Sequence, residues 1–578
     1  MSQLKPLTDA EKRIEARPLN LVWMSILAMS VGMIGGFGSI IFRDMIGLVH
    51  NIFFFGKFSF AYDSNIHTDP STWGAFIILI PVVGGVIVTW LVKTFAPEAK
   101  GHGVPEVMNA VHYQNGLIRP IVAIVKSIAS SISIGSGGSV GREGPIIQIG
   151  SAFGSTLGQI IKMPVRQRVV LIAAGAAAGI AATFNAPMGG VTFAVELLLI
   201  SINAGNVMLI TLATVTATYI SHLFAGMEPS FSIPNFTYAK PHLYAMPVLF
   251  SFIPFGVIMG FAATLYVKSI YWAEDTFDDA IKNPYLRHMV GMLMLGITIY
   301  GFMRFSGHYY VQGVGYAAIM DILKESLMNP WFLLLLFAAK LLVTSLTLGS
   351  GASGGIFSPS LFLGATLGGA FGLFIQFLFP AYHVIPIYFS IAGMAAMVSG
   401  STGAVVTAIV MTFEQTRDYN SMLPIILTAG LSYGIRIWLC RESIYTLKLR
   451  RRGFSLPQGL QAAIMESKQA ADIMSDKFKV VAESEWRQSV PDLQHYVLAE
   501  ADEEIVGRVM PDNHLDRHFV VVDRGTYVDH ILREMHLHDA SVAFVTTTHN
   551  SRRVQDITGV ITIRELVDAE VEMAMLMH

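Results

Sequence analysis

The chain has 578 residues and a formal net charge of −2, and 53% of its residues are hydrophobic whereas only 14% are charged. Because soluble globular domains carry about 25% charged residues, this composition excludes a wholly soluble protein. The near-neutral charge gives no reason to expect a nucleic-acid partner, and the single cysteine, Cys440, excludes an intramolecular disulfide.

The N-terminal segment over residues 1–17 is polar and basic, so we expect it to be cytoplasmic. The apolar run that follows begins at Leu19 and continues beyond Ile41. This run is longer than the h-region of a signal peptide, which has roughly 7–15 residues. It therefore predicts a first membrane helix that is retained.

Further apolar segments follow along the first 440 residues, and several are shorter than the roughly 20 residues that a helix needs to cross a bilayer. Many are interrupted by Gly, Ser or Pro, and irregular backbone at membrane depth is tolerated only where it is buried in protein or lines a cavity. This pattern is typical of transporters and channels. The predicted apolar segments are 20–55, 73–96, 121–134, 145–162, 169–200, 206–224, 245–268, 288–304, 331–348, 356–379, 385–412 and 423–440.

The composition changes after Cys440. Arg441, Lys448 and residues 450–452 form a basic cluster against the last apolar segment, which predicts that this end is cytoplasmic too. With both ends on one side, the number of complete crossings is expected to be even.

From about residue 466 the sequence is that of a soluble domain. Phe519 to Val522 and Ser541 to Thr546 have the β-branched and aromatic character of strands, and the stretch between them has helical spacing. Gly559 to Leu566 predicts a strand that leads into a helix. These elements predict a small α/β module.

Two features of the membrane region are repeated. Glycine- and serine-rich turns begin at Gly135 and at Gly349, and Glu196 and Glu414 close two similar apolar stretches at nearly the same separation along the chain. Two pairs at nearly the same offset indicate a duplicated half, and such repeats place the substrate site at their interface on the ends of broken helices. Chance similarity between glycine-rich segments is the alternative.

Three glycine-rich turns lead into apolar helical runs. They are Gly137 to Pro145, Gly354 to Pro359 and Gly101 to Pro105. Proline is well tolerated at a helix start because its missing N–H would have no partner there. The free N–H groups and the partial positive charge of a helix N-terminus attract anions. Three such helix starts can surround a dehydrated anion without a full positive charge, so that the ion can still leave.

Glu143 lies at one of these helix starts. Its carboxylate can occupy the anion site and compete with the ion, and protonation would then open the path. The alternative is a helix N-terminal glutamate that only offsets the helix dipole.

The motifs Gly141-Arg142-Glu143-Gly144-Pro145, Gly354-Gly355-Ile356-Phe357-Ser358-Pro359 and Gly101-His102-Gly103-Val104-Pro105-Glu106 resemble, in type and order, the signature motifs of the CLC family of chloride channels and transporters. The resemblance covers about residues 20–450. It implies an all-α polytopic membrane fold with an inverted internal repeat and broken helices. It also implies a homodimer with one anion pore per subunit in the plasma (inner) membrane, and cytoplasmic termini.

The resemblance assigns roles to individual residues. Glu143 corresponds to the external gating glutamate, and the backbone N–H groups around Ile356 and Phe357 correspond to ligands of the central chloride ion. Tyr445 corresponds to the tyrosine whose hydroxyl binds that chloride. Without the family, Tyr445 would be interpreted as an interfacial tyrosine beside a basic cluster.

His102 departs from the family pattern, since many members have a serine at this position between the two glycines. An imidazole is larger, donates through N–H and can become charged. Either His102 takes over the anion coordination, or it turns away and the backbone of the motif, with Gly103, coordinates the ion alone. The choice of anion therefore stays open.

A second departure concerns protons. Well-studied exchangers of the family carry two consecutive glutamates after an Asn-Ala-Pro helix start, and the second glutamate relays protons. Here Asn185-Ala186-Pro187 leads to Glu196 followed by Leu197, which cannot carry a proton. This favours a channel, although water or Glu196 could substitute in the relay.

The tail over residues 468–578 resembles a pair of CBS domains, with a degenerate first half, connected by a linker over 454–467 to the transmembrane anion-pore domain over 18–453. The resemblance implies that Thr562 and Glu565 contact an adenine nucleotide, with Glu565 in place of the usual aspartate. The alternative is a structural dimerisation role.

The sequence therefore predicts a chloride channel gated by Glu143. A chloride/proton antiporter of the same family is the first alternative, and a membrane sensor that signals through the tail is an alternative of another class. No residue set with catalytic spacing indicates an enzyme.

Overall fold

The computed structural model describes residues 18–199, 202–231, 233, 246–454, 468–488, 495–510, 512, 514–548 and 551–568. The segment predicted over residues 1–17 and nearly all of the linker predicted over 454–467 lie outside the described residues. The chain divides into two compact units after Phe454.

The helices and turns of the first unit account for all of its secondary-structure elements in the part of the chain that the structure describes. Among the described residues, nine helical stretches are long and apolar enough to cross a membrane, by length and composition. The helices are α1 Leu21–Phe55, α2 Ile80–Phe95, α3 Val104–Tyr113, α4 Ile121–Gly135, α5 Glu143–Ile160, α6 Val165–Phe184, α7 Pro187–Leu197, α8 Ala204–Ala225, α9 Met246–Ala280, α10 Pro284–Ser306, α11 Tyr316–Leu323, α12 Pro330–Ser350, α13 Phe357–Leu378, α14 Pro386–Thr402, α15 Val405–Thr416, α16 Met422–Leu439 and α17 Ile444–Arg451.

Two of the predicted apolar segments each contain two helices. The segment over 169–200 ends as α6 at Asn185, which adopts the left-handed conformation with φ +55°, and restarts as α7 at Pro187. The segment over 385–412 breaks at Gly403, which has φ +84°. A residue in the left-handed region commonly terminates a helix, so both breaks have a local cause.

The two halves of this unit repeat one packing arrangement. Helix α5 lies against α6, and α13 lies against α14, through glycines at equivalent positions. A Cβ on Gly150 would be closer than 3.0 Å to the carbonyl oxygen of Gly175, and a Cβ on Gly364 would be equally close to that of Gly393. Gly150 and Gly364 have the same separation in the chain as the two glycine- and serine-rich turns, so the repeat predicted from the sequence extends to the backbone contacts.

The second unit is the α/β module, and it contains two sheets. A four-stranded sheet has the order β1-β2-β3-β4 and a three-stranded sheet the order β5-β6-β7. In each sheet the first pair of strands is parallel and the second is antiparallel. The elements are α18 Ala470–Ile473, β1 Phe478–Ala482, β2 Tyr496–Ala501, β3 Glu504–Val509, β4 Leu515–Asp516, β5 Phe519–Asp523, α19 Val528–Leu537, β6 Val542–Thr546 and β7 Ile557–Ile561.

The strands predicted near residues 519–522, 541–546 and 559–563 are confirmed as β5, β6 and β7, and the helix predicted between the first two as α19. Strands β1 to β4 were not predicted. The two sheets share a core, since Leu498 and Ile505 of the first sheet pack with Phe544 and Val560 of the second.

Candidate anion-binding site

Three glycine-rich turns are joined by backbone hydrogen bonds. The N–H of Gly101 donates to the carbonyl of Ala352 at 3.0 Å, and the N–H of Gly354 donates back to Gly101 at 3.2 Å. Gly141 and Gly355 exchange two further bonds, at 2.7 and 2.6 Å. The turn before α13 therefore lies between the turns before α3 and α5, and the three helices begin around one buried region.

The carboxylate of Glu143 lies at the N-terminus of α13. Its Oε1 accepts hydrogen bonds from Tyr316 Oη at 2.7 Å and from Ser358 Oγ, and its Oε2 accepts one from the backbone N–H of Ser358 at 3.3 Å. Glu143 is only 1% exposed. The side chain therefore occupies a set of donors that suits an anion, at the start of a different helix from the one that Glu143 begins.

A neighbouring glycine makes room for this carboxylate. A Cβ on Gly141 would come closer than 3.0 Å to Oε2 of Glu143. The glycine of the Gly141-Arg142-Glu143 motif is thus required by the position of the glutamate side chain as well as by the turn.

Ile356 and Phe357 form the start of α13 and are almost completely buried. The first N–H groups of an α-helix have no partner within the helix, so this turn presents donors towards the region that Glu143 occupies. The ring of Phe357 lies 5.4 Å from that of Phe184, which fixes its direction.

Tyr445 lies in the first turn of α17 and is 2% exposed. Ser443 caps this helix by accepting a hydrogen bond from the backbone N–H of Thr446 at 3.3 Å. Tyr445 is therefore a buried residue at a helix start, and its side chain is enclosed by the protein.

Two tyrosines of α9 hold the starts of α13 and α17. Tyr266 Oη donates to the carbonyl of Ile356 at 3.2 Å, and Tyr271 Oη donates to the carbonyl of Ile444. Both tyrosine side chains are fully buried. One helix thus fixes the two segments to which the sequence assigns chloride contacts.

His102 is buried at the turn before α3, with 3% of its surface exposed. Its ring stands edge-on to that of Tyr271 at 6.3 Å, and its Nδ1 has no hydrogen-bond partner among the described residues. The imidazole is therefore enclosed in the same buried region, with one nitrogen available to a ligand.

Gly103 follows His102 with φ +87°. A Cβ at this position would press against the carbonyl oxygen of Gly144 and the side chain of Gln148. Only glycine satisfies both the left-handed backbone and the close approach to α5.

Glu196 and Glu414 cap each other's helices. The carboxylate of Glu196 accepts hydrogen bonds from the backbone N–H groups of Val406 and Thr407 at 3.1 and 2.9 Å. The carboxylate of Glu414 accepts them from Met188 and Gly189 at 3.0 and 2.7 Å. Helices α7 and α15 are therefore antiparallel, and Glu196 is engaged at a helix start while its neighbour Leu197 carries no proton.

Two completely buried lysines are likewise related by the repeat. Lys126 Nζ donates to two carbonyl oxygens of the turn before α3, at 3.0 and 2.7 Å. Lys340, its equivalent in the second half, donates to the carbonyls of Val311 and Gly313 before α11, at 3.0 and 2.8 Å. Each lysine holds a turn that opens into a helix of the site.

Tyr316, Ser358 and the two lysines were not identified from the sequence. Ser358 lies inside one of the three glycine-rich motifs, but the motif predicts no role for its hydroxyl. Tyr316 and Lys340 lie outside these motifs, and the repeat offset that relates them to His102 and Lys126 is the signal that could have found them.

In the tail, the structure brings Thr562 and Glu565 together. Oε2 of Glu565 accepts hydrogen bonds from Thr562 N and Thr562 Oγ1 at 2.8 and 2.6 Å, and Oε1 accepts one from Tyr496 Oη at 2.5 Å. Burial, together with the hydrogen bond to Glu565, raises the pKa of Tyr496 above its usual value. Both residues predicted to bind a nucleotide are thus engaged within the protein.

Comparison with known proteins agrees with this architecture. The family model described as "Voltage gated chloride channel" matches residues 84–436. The chain is 34% identical over 388 residues to the H(+)/Cl(-) exchange transporter ClcA of Vibrio parahaemolyticus, which covers 65% of this chain and 79% of that protein.

Two solved structures are similar to this fold. A slow cyanobacterial Cl-/H+ antiporter superposes with a TM-score of 0.63 and 27% identity, covering 75% of this chain and 97% of the antiporter. A eukaryotic CLC transporter superposes with a TM-score of 0.61 and 17% identity, covering 94% of this chain and 98% of that one. At 17% identity, the similarity to the eukaryotic transporter shows a common fold only.

Proposed function

The chain belongs to the CLC family of chloride channels and transporters, and we propose that it exchanges chloride for protons, with Glu143 as the gating carboxylate. The coarser conclusion, an integral multi-pass membrane protein for small-anion transport, follows from the family and from the apolar helices. The sequence predicts a channel, and chloride/proton exchange is its first alternative. The relatives support it because the names of ClcA and of the cyanobacterial protein specify exchange with protons.

The position of the Glu143 carboxylate carries the proposal. It accepts three hydrogen bonds from Tyr316 and Ser358 at the start of α13, where donors suited to an anion point into a buried region. A carboxylate in this position excludes chloride while it is ionised. Protonation removes its charge and releases the donors to the anion, so proton and chloride occupancy are linked at one place.

The central chloride is bound next to this position by the N–H groups around Ile356 and Phe357 and by the Tyr445 hydroxyl. His102 contributes an imidazole whose Nδ1 has no partner among the residues described. Because a neutral imidazole donates through only one nitrogen, its tautomer decides whether it favours an anion here.

A channel is the second candidate, and Leu197 favours it. Leucine cannot pass a proton, and the carboxylate of its neighbour Glu196 is engaged at the start of α15. Exchange therefore requires a proton route to Glu143 that does not use a carboxylate at position 197, for example through water.

Paired flux measurements distinguish the two candidates. Purified protein is reconstituted into liposomes with a chloride gradient, and chloride is followed with an electrode while protons are followed with an internal pH dye. Uphill proton movement driven by chloride is expected, and Glu143→Gln should transport chloride without protons. Chloride flux with no proton movement in the unchanged protein would identify a channel.

The chain functions as a homodimer in the plasma (inner) membrane with both termini in the cytoplasm. The basic residues after Cys440 support this orientation. Part of this cluster also pairs with acids, as Arg451 does with Asp275 and Arg452 with Glu106. Accessibility of cysteines introduced near each terminus to an impermeant thiol reagent in sealed cells tests the orientation, and cross-linking in membranes tests the dimer.

The tail is a CBS-like pair with a structural role. Both sheets share the order of a parallel pair followed by an antiparallel strand, and Glu565 already accepts hydrogen bonds from Thr562 and Tyr496. Adenine nucleotides are expected to leave the chloride flux and the melting temperature unchanged. A nucleotide-dependent shift that Glu565→Ala removes would instead establish the binding site that the sequence predicts.

A further inference from the structure

We propose that the Tyr316 hydroxyl sets the strength with which Glu143 closes the anion pathway. The inference rests on the proposed function of Glu143 as the gating carboxylate. It assigns a positioning role to a residue outside the motifs that the family resemblance uses.

Tyr316 is the second-half equivalent of His102. The two residues have the same separation in the chain as the glycine- and serine-rich turns at Gly135 and Gly349. Each follows a glycine in the left-handed conformation, Gly101 with φ +77° and Gly315 with φ +81°. The repeat thus places one side chain from each half at a helix start beside the anion region, an imidazole in the first half and a phenol in the second.

The phenol is held firmly in place. Tyr316 is 1% exposed, its ring stands edge-on to Phe231 at 5.2 Å, and the guanidinium of Arg142 lies 5.4 Å from its centre. Lys340 fixes the turn that precedes it through the carbonyls of Val311 and Gly313. The hydroxyl is therefore pre-positioned for the carboxylate.

Tyr316 also lies at the boundary between Glu143 and an open space. Together with Arg142 and Arg43 it lines a polar cavity of about 390 Å³. Its hydroxyl contacts the carboxylate at 2.7 Å, and Tyr316 is also one of the residues that line the cavity. Tyr316 therefore connects the cavity with the position of Glu143.

The hydroxyl stabilises the ionised carboxylate in the closed position. A hydrogen bond to a charged group contributes more free energy than one between neutral groups. The bond between Tyr316 and Glu143 is lost when the carboxylate leaves the site. Removing the hydroxyl therefore favours the protonated, displaced glutamate. The pathway should then open at lower proton concentrations than in the unchanged protein.

The test is the pH dependence of chloride efflux from proteoliposomes for Tyr316→Phe, which keeps the ring contacts with Phe231 and Arg142. We expect the pH of half-maximal flux to rise by about one unit, the tenfold effect typical of a hydrogen bond to a charged group. A profile that matches the unchanged protein would overturn the inference. Tyr309→Phe is the matched control, because its hydroxyl contacts the Ser71 N–H instead of Glu143, and an equal shift there would also overturn it.

Glu143→Gln separates this inference from the proposed function. If Glu143→Gln keeps the normal pH dependence, the gating role itself fails. If Glu143→Gln is independent of pH while Tyr316→Phe behaves normally, only the role of Tyr316 fails. In the double variant, Tyr316→Phe should have no further effect on the pH profile, and a shift of undiminished size there would show that the tyrosine acts on another group.

Discussion

Glu196 and Glu414 each cap the helix that carries the other. Glu196 accepts backbone hydrogen bonds at the start of α15, and Glu414 accepts them at the start of α7. A carboxylate at a helix N-terminus satisfies N–H groups that have no partner in the helix and interacts favourably with the helix dipole. The pair locks the two repeats together in antiparallel orientation.

Glu196→Gln and Glu414→Gln should therefore lower stability by similar amounts, about 1 kcal/mol each, the usual cost of a lost helix cap. Thermal unfolding in detergent measures this. Because Glu196 is engaged as a cap, Glu196→Gln should leave the chloride-to-proton ratio unchanged. Glu228→Gln, at an exposed position, is the control. Lost proton coupling at normal stability in Glu196→Gln would mean that Glu196 relays protons.

The glycine contacts between α5 and α6 and between α13 and α14 predict matched effects in the two halves. Gly150→Ala and Gly364→Ala should each destabilise by about 1–3 kcal/mol, because the new methyl group collides with a backbone carbonyl that cannot move aside. Gly38→Ala and Gly430→Ala are controls within helices, since nothing lies within 4 Å of the added Cβ. Thermal stability by size-exclusion chromatography after heating is the measurement, and tolerance of alanine at 150 or 364 would contradict the packing.

Lys340→Met removes the donor that holds the turn before α11. The carbonyls of Val311 and Gly313 then lack their partner in a buried region, which should cost about 1–3 kcal/mol. The variant should also raise chloride flux at neutral pH, because this turn positions Tyr316. Lys126→Met should lower stability as much as Lys340→Met does, but it should not raise the chloride flux to the same extent. Normal stability of Lys340→Met would refute the role of the lysine.

Asp516 makes the tail sensitive to acid. Burial acts to raise its pKa, but hydrogen bonds from Ser541 and from the backbone N–H of His518 hold the pKa below its ordinary value of 3.8. A carboxyl group whose pKa is lowered by folding stabilises the folded state at pH values above its ordinary pKa. This stabilisation is lost as the pH falls through the folded-state pKa.

Asp516→Asn should therefore weaken protection of β5 and β6 from hydrogen exchange at neutral pH in the full-length protein. The difference from the unchanged protein should shrink as the pH falls below the ordinary value of 3.8 and disappear once the pH is below the lowered folded-state pKa. Asp512→Asn, which is exposed, is the control. A difference that persists at low pH would exclude ionisation of Asp516 as its cause.

The parts of the site that local chemistry determines were predictable from the sequence. Glycine and proline act on the backbone where they stand, so the helix starts near Gly103, Pro145 and Pro359 could be placed before the structure was known. Strands β5 to β7 were equally local, because short runs of β-branched residues form them. Strands β1 and β3 contain only short β-branched pairs beside charged residues, Val480-Val481 and Ile505-Val506, and strands β1 to β4 were missed.

The partners of Glu143 could not be predicted in this way. Tyr316 and Ser358 are both distant from Glu143 in the chain, and nothing in either neighbourhood indicates a contact with a carboxylate. The break at Gly403 inside a predicted apolar segment shows the same limit, since one residue in a left-handed conformation ends a helix within a long apolar run. Repeat symmetry is the one long-range signal in the sequence that reaches Tyr316.

The same symmetry makes the position of Glu143 informative. Its equivalent in the second half, at the repeat offset that relates Gly135 to Gly349, is Phe357. The two halves also differ at the neighbouring equivalent helix starts, where His102 stands in the first half and Tyr316 in the second. A carboxylate at one helix start and a phenyl ring at the other make the two ends of the pathway different. With Glu143 as the proposed gate, the orientation in which the chain inserts would determine which compartment's acidity controls the flow.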